Sequence, residues 1–147
     1  MFREQTNRKN LLGNCATTAR KITKQDYKHY LIRNEKQNKS YLYSSEKPNS
    51  KKAILSYKLI ASSERYHLLE VKLEPGRHHQ IRCQLAAIGC PIKGDLKYGA
   101  PRSNPNGGIS LHARQIKFIH PVSKEPIEIT APIPEDEKLW SVFNVTQ

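Results

Sequence analysis

Apolar and polar positions alternate most clearly in the middle of the chain. Ala53, Leu55, Tyr57, Leu59 and Ala61 fall on every second residue, as do His67, Leu69, Val71 and Leu73. That period of two predicts two half-buried strands joined by a hairpin connection at Ser62 to Glu64. After Pro75 and Gly76 the period lengthens. Ile81, Leu85 and Ile88 lie at i, i+4 and i+7 with Ala86 beside them, the apolar stripe of an amphipathic helix. Gly89 is placed to cap its C-terminus, and Pro91 prevents its resumption. Leu111 to Phe118 and Pro126 to Ala131 predict two further strands, and Glu135 to Phe143 a last short helix packing Leu139, Trp140 and Phe143. Residues 1–50 are polar and poorly periodic. Within them Tyr27, Tyr30 and Leu31 recur at helical spacing and predict a short helix or turn over Asp26 to Asn34. A loop rich in Ser, Pro, Asn and Lys follows from Ser44 to Lys52. Strands with helices at one side give an α+β domain around a mostly antiparallel mixed sheet.

Length and charge narrow the picture. At 147 residues the chain can bury one ordinary core, and nothing in it argues for two domains. The net charge of +12 is uneven: residues 1–60 hold 14 Lys and Arg against 4 Asp and Glu, residues 61–147 hold 11 against 9. With no strongly amphipathic basic helix beside it, such a face points to nucleic acid before membrane; a solvated lysine-rich surface is the plainer alternative. No apolar run approaches the roughly 20 residues of a membrane span, and no signal peptide opens the chain. Cys15, Cys83 and Cys90 are odd in number and lack metal-type spacing, so they read as reduced, semi-buried thiols of a cytoplasmic protein.

The densest chemistry lies between Gly76 and Gly99. Arg77, His78, His79 and Arg82 crowd the first turns of the predicted helix. There His78 and Arg82 share a face while Ile81 and Leu85 point into the core. Arg82 therefore lies where core meets cleft, and its rigid fork suits a carboxylate or a phosphate. Backbone N–H groups and partial positive charge at the helix start add to the field. Two readings stay open on residue types alone. One is a structural arginine paired with a core acid; the other is a site that handles phosphates or a nucleobase.

Gly76-Arg77-His78-His79-Gln80-Ile81-Arg82, then Gly89-x-Pro91-Ile92-x-Gly94-Asp95-x-x-Tyr98-Gly99, resembles the C-terminal motif of the RluA-type pseudouridine synthases. Leu111-His112-Ala113 and His120-Pro121 match later landmarks of that family, and the resemblance covers about residues 27–143. Pro75 is a local departure, since family members usually carry threonine before Gly-Arg. The resemblance implies isomerisation of uridine to pseudouridine in ribosomal or transfer RNA, with no metal or organic cofactor and no membrane partner. The target base leaves its stack to be reached. A catalytic aspartate attacks the flipped nucleotide, and a carbon–carbon glycosidic bond forms once the uracil has turned. By motif position Arg82 corresponds to the arginine that pairs with this aspartate and keeps it ionised. Ile81 corresponds to an apolar wall beneath the base. Arg77, His78, Lys93 and Lys97 are the RNA-facing candidates.

The family's aspartate sits in an Arg-Leu-Asp segment followed by Thr-Ser-Gly, and this sequence holds no such segment. Asp26 and Asp95 stand in other contexts, so no nucleophile is assigned and Arg82 is expected to lack its natural counter-ion, the catalytic aspartate. Family members also carry a Lys-x-Tyr-x-Ala-x-Val strand where this chain has Lys9 followed by Asn10 to Thr18, without the tyrosine or a strand period. The codons AAC CTA TTG GGC AAT TGT GCA ACA ACG would encode Asn10 to Thr18. Read one base later they give Thr-Tyr-Trp-Ala-Ile-Val-Gln-Gln, which restores the strand. The expectation is a single partial catalytic domain over residues 1–147, with a divergent or frame-shifted start at 1–26 and a family-like portion at 27–147. Alone it is expected to be inactive. A non-catalytic RNA-binding module and a fragment without function are the competing readings.

Overall fold

The computed structural model describes residues 6–13, 24–62, 66–74 and 76–132. Seven strands form one sheet in the order β3-β2-β4-β5-β1-β6-β7. They are β1 (Thr6–Gly13), β2 (Lys24–Asn34), β3 (Lys39–Tyr43), β4 (Lys51–Ser62), β5 (His67–Glu74), β6 (Leu111–Ile119) and β7 (Pro126–Thr130), with helix α1 (Gln80–Ala87) between β5 and β6. Every pairing among these strands is antiparallel, so the expected mixed sheet shows no parallel pair among the described residues.

The two alternating stretches become β4 and β5. Leu55 opposes Leu73, Tyr57 opposes Val71 and Leu59 opposes Leu69, which puts all six side chains on one face. Helix α1 covers that face. Ile81, Leu85, Cys90 and Ile92 close the main core with Leu55, Tyr57, Leu69 and Val71. Leu31, Ala53 and Cys83 extend it toward β2 and β3.

The helix ends as its sequence predicts. Gly89 adopts φ 83°, its N–H bonds to the Ala86 carbonyl, and the Cys90 N–H bonds to the Leu85 carbonyl. Those paired bonds close a left-handed C-terminal cap that glycine adopts without steric cost.

Three expectations change. Asp26 to Asn34 lie in β2, not in a helix or turn. Pairing with β4 on one side and β3 on the other satisfies the backbone of this stretch. Its actual period is two: Tyr27 and Leu31 pack inward, whereas Tyr30 opposes Tyr43 in the register of the other face. Next, Asn10 to Gly13 belong to β1, held between β5 and β6. Neighbours on both edges impose strand structure where the local pattern shows none. Finally, Cys90 is disulfide-bonded, while Cys83 is a free, buried thiol whose pKa burial pushes up to about 11. Glu135 to Phe143, Pro75 and most of the Ser62 to Glu64 connection lie outside the described residues. No helix among the described residues is long and apolar enough to cross a membrane.

Candidate active site

The cationic motif folds as a turn followed by a helix, one step later than its spacing suggests. His79 is the N-cap of α1 and takes a left-handed conformation, φ 53° and ψ 24°, so His78 and His79 precede the helix and only Arg82 is helical. The Arg77 N–H donates to Gln80 Oε1 at 2.9 Å, and Gln80 Nε2 donates to the Ile54 carbonyl at 2.9 Å. One buried glutamine thus closes the turn and fastens it to β4.

Arg82 rises from the first turn of α1 toward the segment after Gly94. Its Nε donates to Asp95 Oδ2 at 2.9 Å and its Nη2 to Asp95 Oδ1 at 2.7 Å, a bidentate pair. The Asp95 side chain is fully buried and that of Arg82 is 21% exposed. Hydrogen bonding to Asp95 raises the Arg82 pKa above its ordinary value against the opposing effect of burial, so the guanidinium is permanently charged. Asp95 opens a short 3-10 turn (Leu96–Tyr98), and the Tyr98 ring lies 5.0 Å under the guanidinium carbon, a cation–π contact.

His79 joins both partners. Its Nε2 lies 3.0 Å from Arg82 Nη1 and its Nδ1 lies 2.7 Å from the Tyr98 hydroxyl. Arginine can only donate, so Nε2 accepts and the ring proton sits on Nδ1, donating to Tyr98. The ring must be neutral. Burial first, then the charges of Arg82, His78 and Lys97, lower the His79 pKa to about 4. The Ser40 N–H also donates to the Tyr98 hydroxyl, at 2.8 Å. His78 completes the lattice against the β2–β3 hairpin: Nδ1 lies 2.9 Å from Ser40 Oγ and Nε2 3.1 Å from Asn38 Oδ1. The Asn38 oxygen only accepts, so His78 Nε2 donates to it, while the single Ser40 hydroxyl proton faces both His78 Nδ1 and the His78 carbonyl oxygen, each 2.9 Å away.

The remaining candidates scatter. Ile81 is 4% exposed and packs in the main core. Arg77 directs Nε to the Lys52 carbonyl. The Lys97 ammonium donates to the carbonyls of Gln37 and Asn38, and Lys93 donates to Asn104 Oδ1 at 2.7 Å beside a cavity of about 210 Å³. The structure therefore brings Arg82, His78 and Lys97 to one end of the sheet and leaves Lys93 elsewhere. Of the two readings open on residue types, the structure shows an arginine paired with a buried acid, Asp95. Asp95 was read only as part of a turn because it lies 13 positions from Arg82; the chain reversal enforced by Gly89 and Pro91 was the available signal. No group of three or more His, Cys, Asp or Glu among the described residues is arranged to hold a metal ion.

The sequence profile described as RNA pseudouridylate synthase matches residues 1–87, more than half of the chain. The chain belongs to that family. As the RluA-type resemblance implies, its relatives among the pseudouridine synthases are close in sequence. The ribosomal large subunit pseudouridine synthase D of Xanthomonas campestris pv. campestris is 38% identical over an alignment of 105 residues that covers 62% of this chain and 32% of that protein. An uncharacterized RNA pseudouridine synthase of Bacillus subtilis is 41% identical over 93 residues, 62% of this chain and 30% of that one. The chain thus spans about a third of the length of these relatives. Human RNA pseudouridylate synthase domain containing 4 shares the fold with a TM-score of 0.69 at 19% identity, over 89% of this chain and 59% of the human one. Its counterpart, domain containing 1, does so at 0.65 and 18%, over 97% and 66%. This pseudouridylate synthase sheet carries the Arg82 cluster at the β2–β3 end, where helix, hairpin and 3-10 turn converge.

Proposed function

We propose that this chain forms the Arg82-bearing portion of an RNA pseudouridine synthase acting on uridines of ribosomal or transfer RNA in the cytoplasm. In this reading residues 1–147 are one partial catalytic domain, family-like from residue 27, and are inactive without a segment carrying the Arg-Leu-Asp nucleophile. The observation that carries it is the state of Arg82. Three of its five N–H groups are engaged by Asp95 and His79, which leaves two for a further anion. A guanidinium oriented by a buried carboxylate, and still partly exposed, can hold a second carboxylate ionised without reorganising. Arg77, His78, Lys93 and Lys97 are proposed to meet phosphates, positioning the RNA without reading its sequence. The break with the family pattern over residues 10–25 is proposed to be a shifted reading frame, which sequencing the gene decides.

The test replaces the matching segment of the Xanthomonas synthase with residues 27–132 of this chain and follows pseudouridine in ribosomal RNA by carbodiimide labelling and primer extension. The chimera should form product and the isolated chain none. Arg82→Ala in the chimera should move the acidic limb of the pH–rate profile upward, because the aspartate loses the cation that lowers its pKa. A folded chimera with no product would overturn the synthase reading; product from the chain alone would overturn the need for a further segment.

A further inference from the structure

The face of the sheet opposite α1 carries a second surface that the Arg82 cluster does not use. Strand β3 is the edge of the sheet. Its inward residues, Ser40 and Leu42, face the helix side, while Tyr41 and Tyr43 turn outward and are 39% and 37% exposed. On β2, Tyr30 is paired with Tyr43 and Ile32 with Tyr41, so three tyrosine rings and one isoleucine share a continuous outward patch. Tyr41 and Tyr43 are two residues apart on one strand, roughly 7 Å. Between the tip of the hairpin and these rings lies an open groove of about 630 Å³, lined in part by Ile32, Arg33, Lys36, Tyr41 and Tyr43.

The charges on this patch are placed over the rings. The Lys28 ammonium stands 5.8 Å from the centre of Tyr30, and that of Lys39 stands 5.5 Å from the centre of Tyr41. Lys52 opposes Tyr30 on the neighbouring strand β4. Glu35 is the single acidic residue among those lining the groove. A protein interface of this size would place a mainly apolar core inside a polar rim and deplete it of lysine. Here lysines lie among the aromatics themselves. Aromatic rings that accept unstacked bases beside cations that follow a phosphate backbone are the recurring arrangement for single-stranded nucleic acid.

We propose that the outward face of the β2–β3 hairpin binds single-stranded RNA, with bases stacked on Tyr41 and Tyr43 and phosphates beside Lys28 and Lys39. Lys39 also reaches to 5.4 Å from the Tyr98 ring, so it spans the β3 edge between this face and the Arg82 cluster. A strand held on the outer face can therefore turn around that edge. The proposal requires no catalysis, and it stands or falls separately from the synthase reading.

The experiment is fluorescence anisotropy of the full chain with a labelled ten-nucleotide pyrimidine RNA, single-stranded and as a duplex, across 50 to 200 mM salt. Tyr41→Ala with Tyr43→Ala should weaken single-strand binding at least about tenfold, the order of one lost base stack. Duplex binding should change less than twofold. Tyr41→Phe with Tyr43→Phe keeps the rings and should bind within about twofold of the parent. Lys39→Gln should reduce the salt slope by about one. All variants are checked by thermal melting, and both tyrosines are exposed enough to be replaced without opening the core. Three outcomes overturn the proposal: no single-strand binding at low salt, an alanine pair that binds like the parent, or equal losses for strand and duplex. Self-association abolished by the alanine pair, with RNA binding unaffected, would instead identify the face as an interface between copies of the chain.

Discussion

Arg82 and Asp95 meet through two parallel N–H···O bonds of 2.9 and 2.7 Å, although one lies on α1 and the other opens the 3-10 turn 13 residues later. The pair fixes where the guanidinium points. It also closes the chain reversal that begins at Gly89, so the geometry of the site and the stability of the fold depend on one contact.

Breaking the pair from either side should cost stability, because a buried carboxylate or a half-buried guanidinium is left behind. Asp95→Ala is expected to lower the unfolding free energy by about 2–4 kcal/mol, the lower part of the range for buried pairs because Arg82 is partly exposed. The combined change Arg82→Met with Asp95→Leu should recover much of that loss, since both charges leave together. Urea denaturation measures both. An unmoved midpoint for the single variant would show that the pair does not hold the fold.

The neutral His79 ring makes the fold sensitive to acid. Its folded pKa of about 4 lies below the ordinary value of 6.5, so the unfolded chain takes up a proton first as the pH falls. Stability from this group is complete above pH 6.5 and is lost progressively down to about pH 4. The melting temperature should fall across that window in the parent and fall less in His79→Gln. Equal acid sensitivity in the two proteins would place the titration elsewhere.

Gly94 sits at φ +89°, and an added Cβ would lie 2.7 Å from Asn104 Cγ and from the Gly108 carbonyl oxygen. Both strain and collision oppose a side chain there. Gly94→Ala should cost at least about 2 kcal/mol, whereas Gly99→Ala, at φ +107° with open space around it, should cost less. Comparing the two urea midpoints separates collision from backbone strain.

Gln80 is 2% exposed and satisfies both the Arg77 N–H and the Ile54 carbonyl. Gln80→Ala should destabilise by about 1–3 kcal/mol, because it removes the side-chain hydrogen bonds of two part-buried backbone groups. It should also loosen the turn that carries His78 and His79. Hydrogen exchange at Arg77 and Gln80 would report the loosening, and protection equal to that of the parent would count against the role given to this side chain.

Parts of the molecule that obey a short local rule were legible in the sequence. Strands β4 and β5, helix α1 and its Gly89 cap each follow from a period of two, a period near 3.6 or a positive φ, and strands β6 and β7 fall close to the predicted bounds. Strand β2 was misread because Tyr27, Tyr30 and Leu31 fit a helical spacing by coincidence. Its two neighbours decided the matter by pairing along both edges. The Arg77 to Arg82 motif folds as a turn and first helical turn in which Arg82 is charged and His79 neutral. The start of the helix at Gln80, however, turned His78 from a companion of Arg82 into a partner of Ser40.

Residue type and spacing alone determined the family and the basic character of the chain, because those are properties of an ordered string of side chains. Only the tertiary structure decided that Asp95 neutralises Arg82, that His79 is a neutral bridge, and that Tyr41 and Tyr43 share one outward face. Hydrogen bonds, burial and strand registry join residues that are distant in sequence, and their energies depend on distance in space.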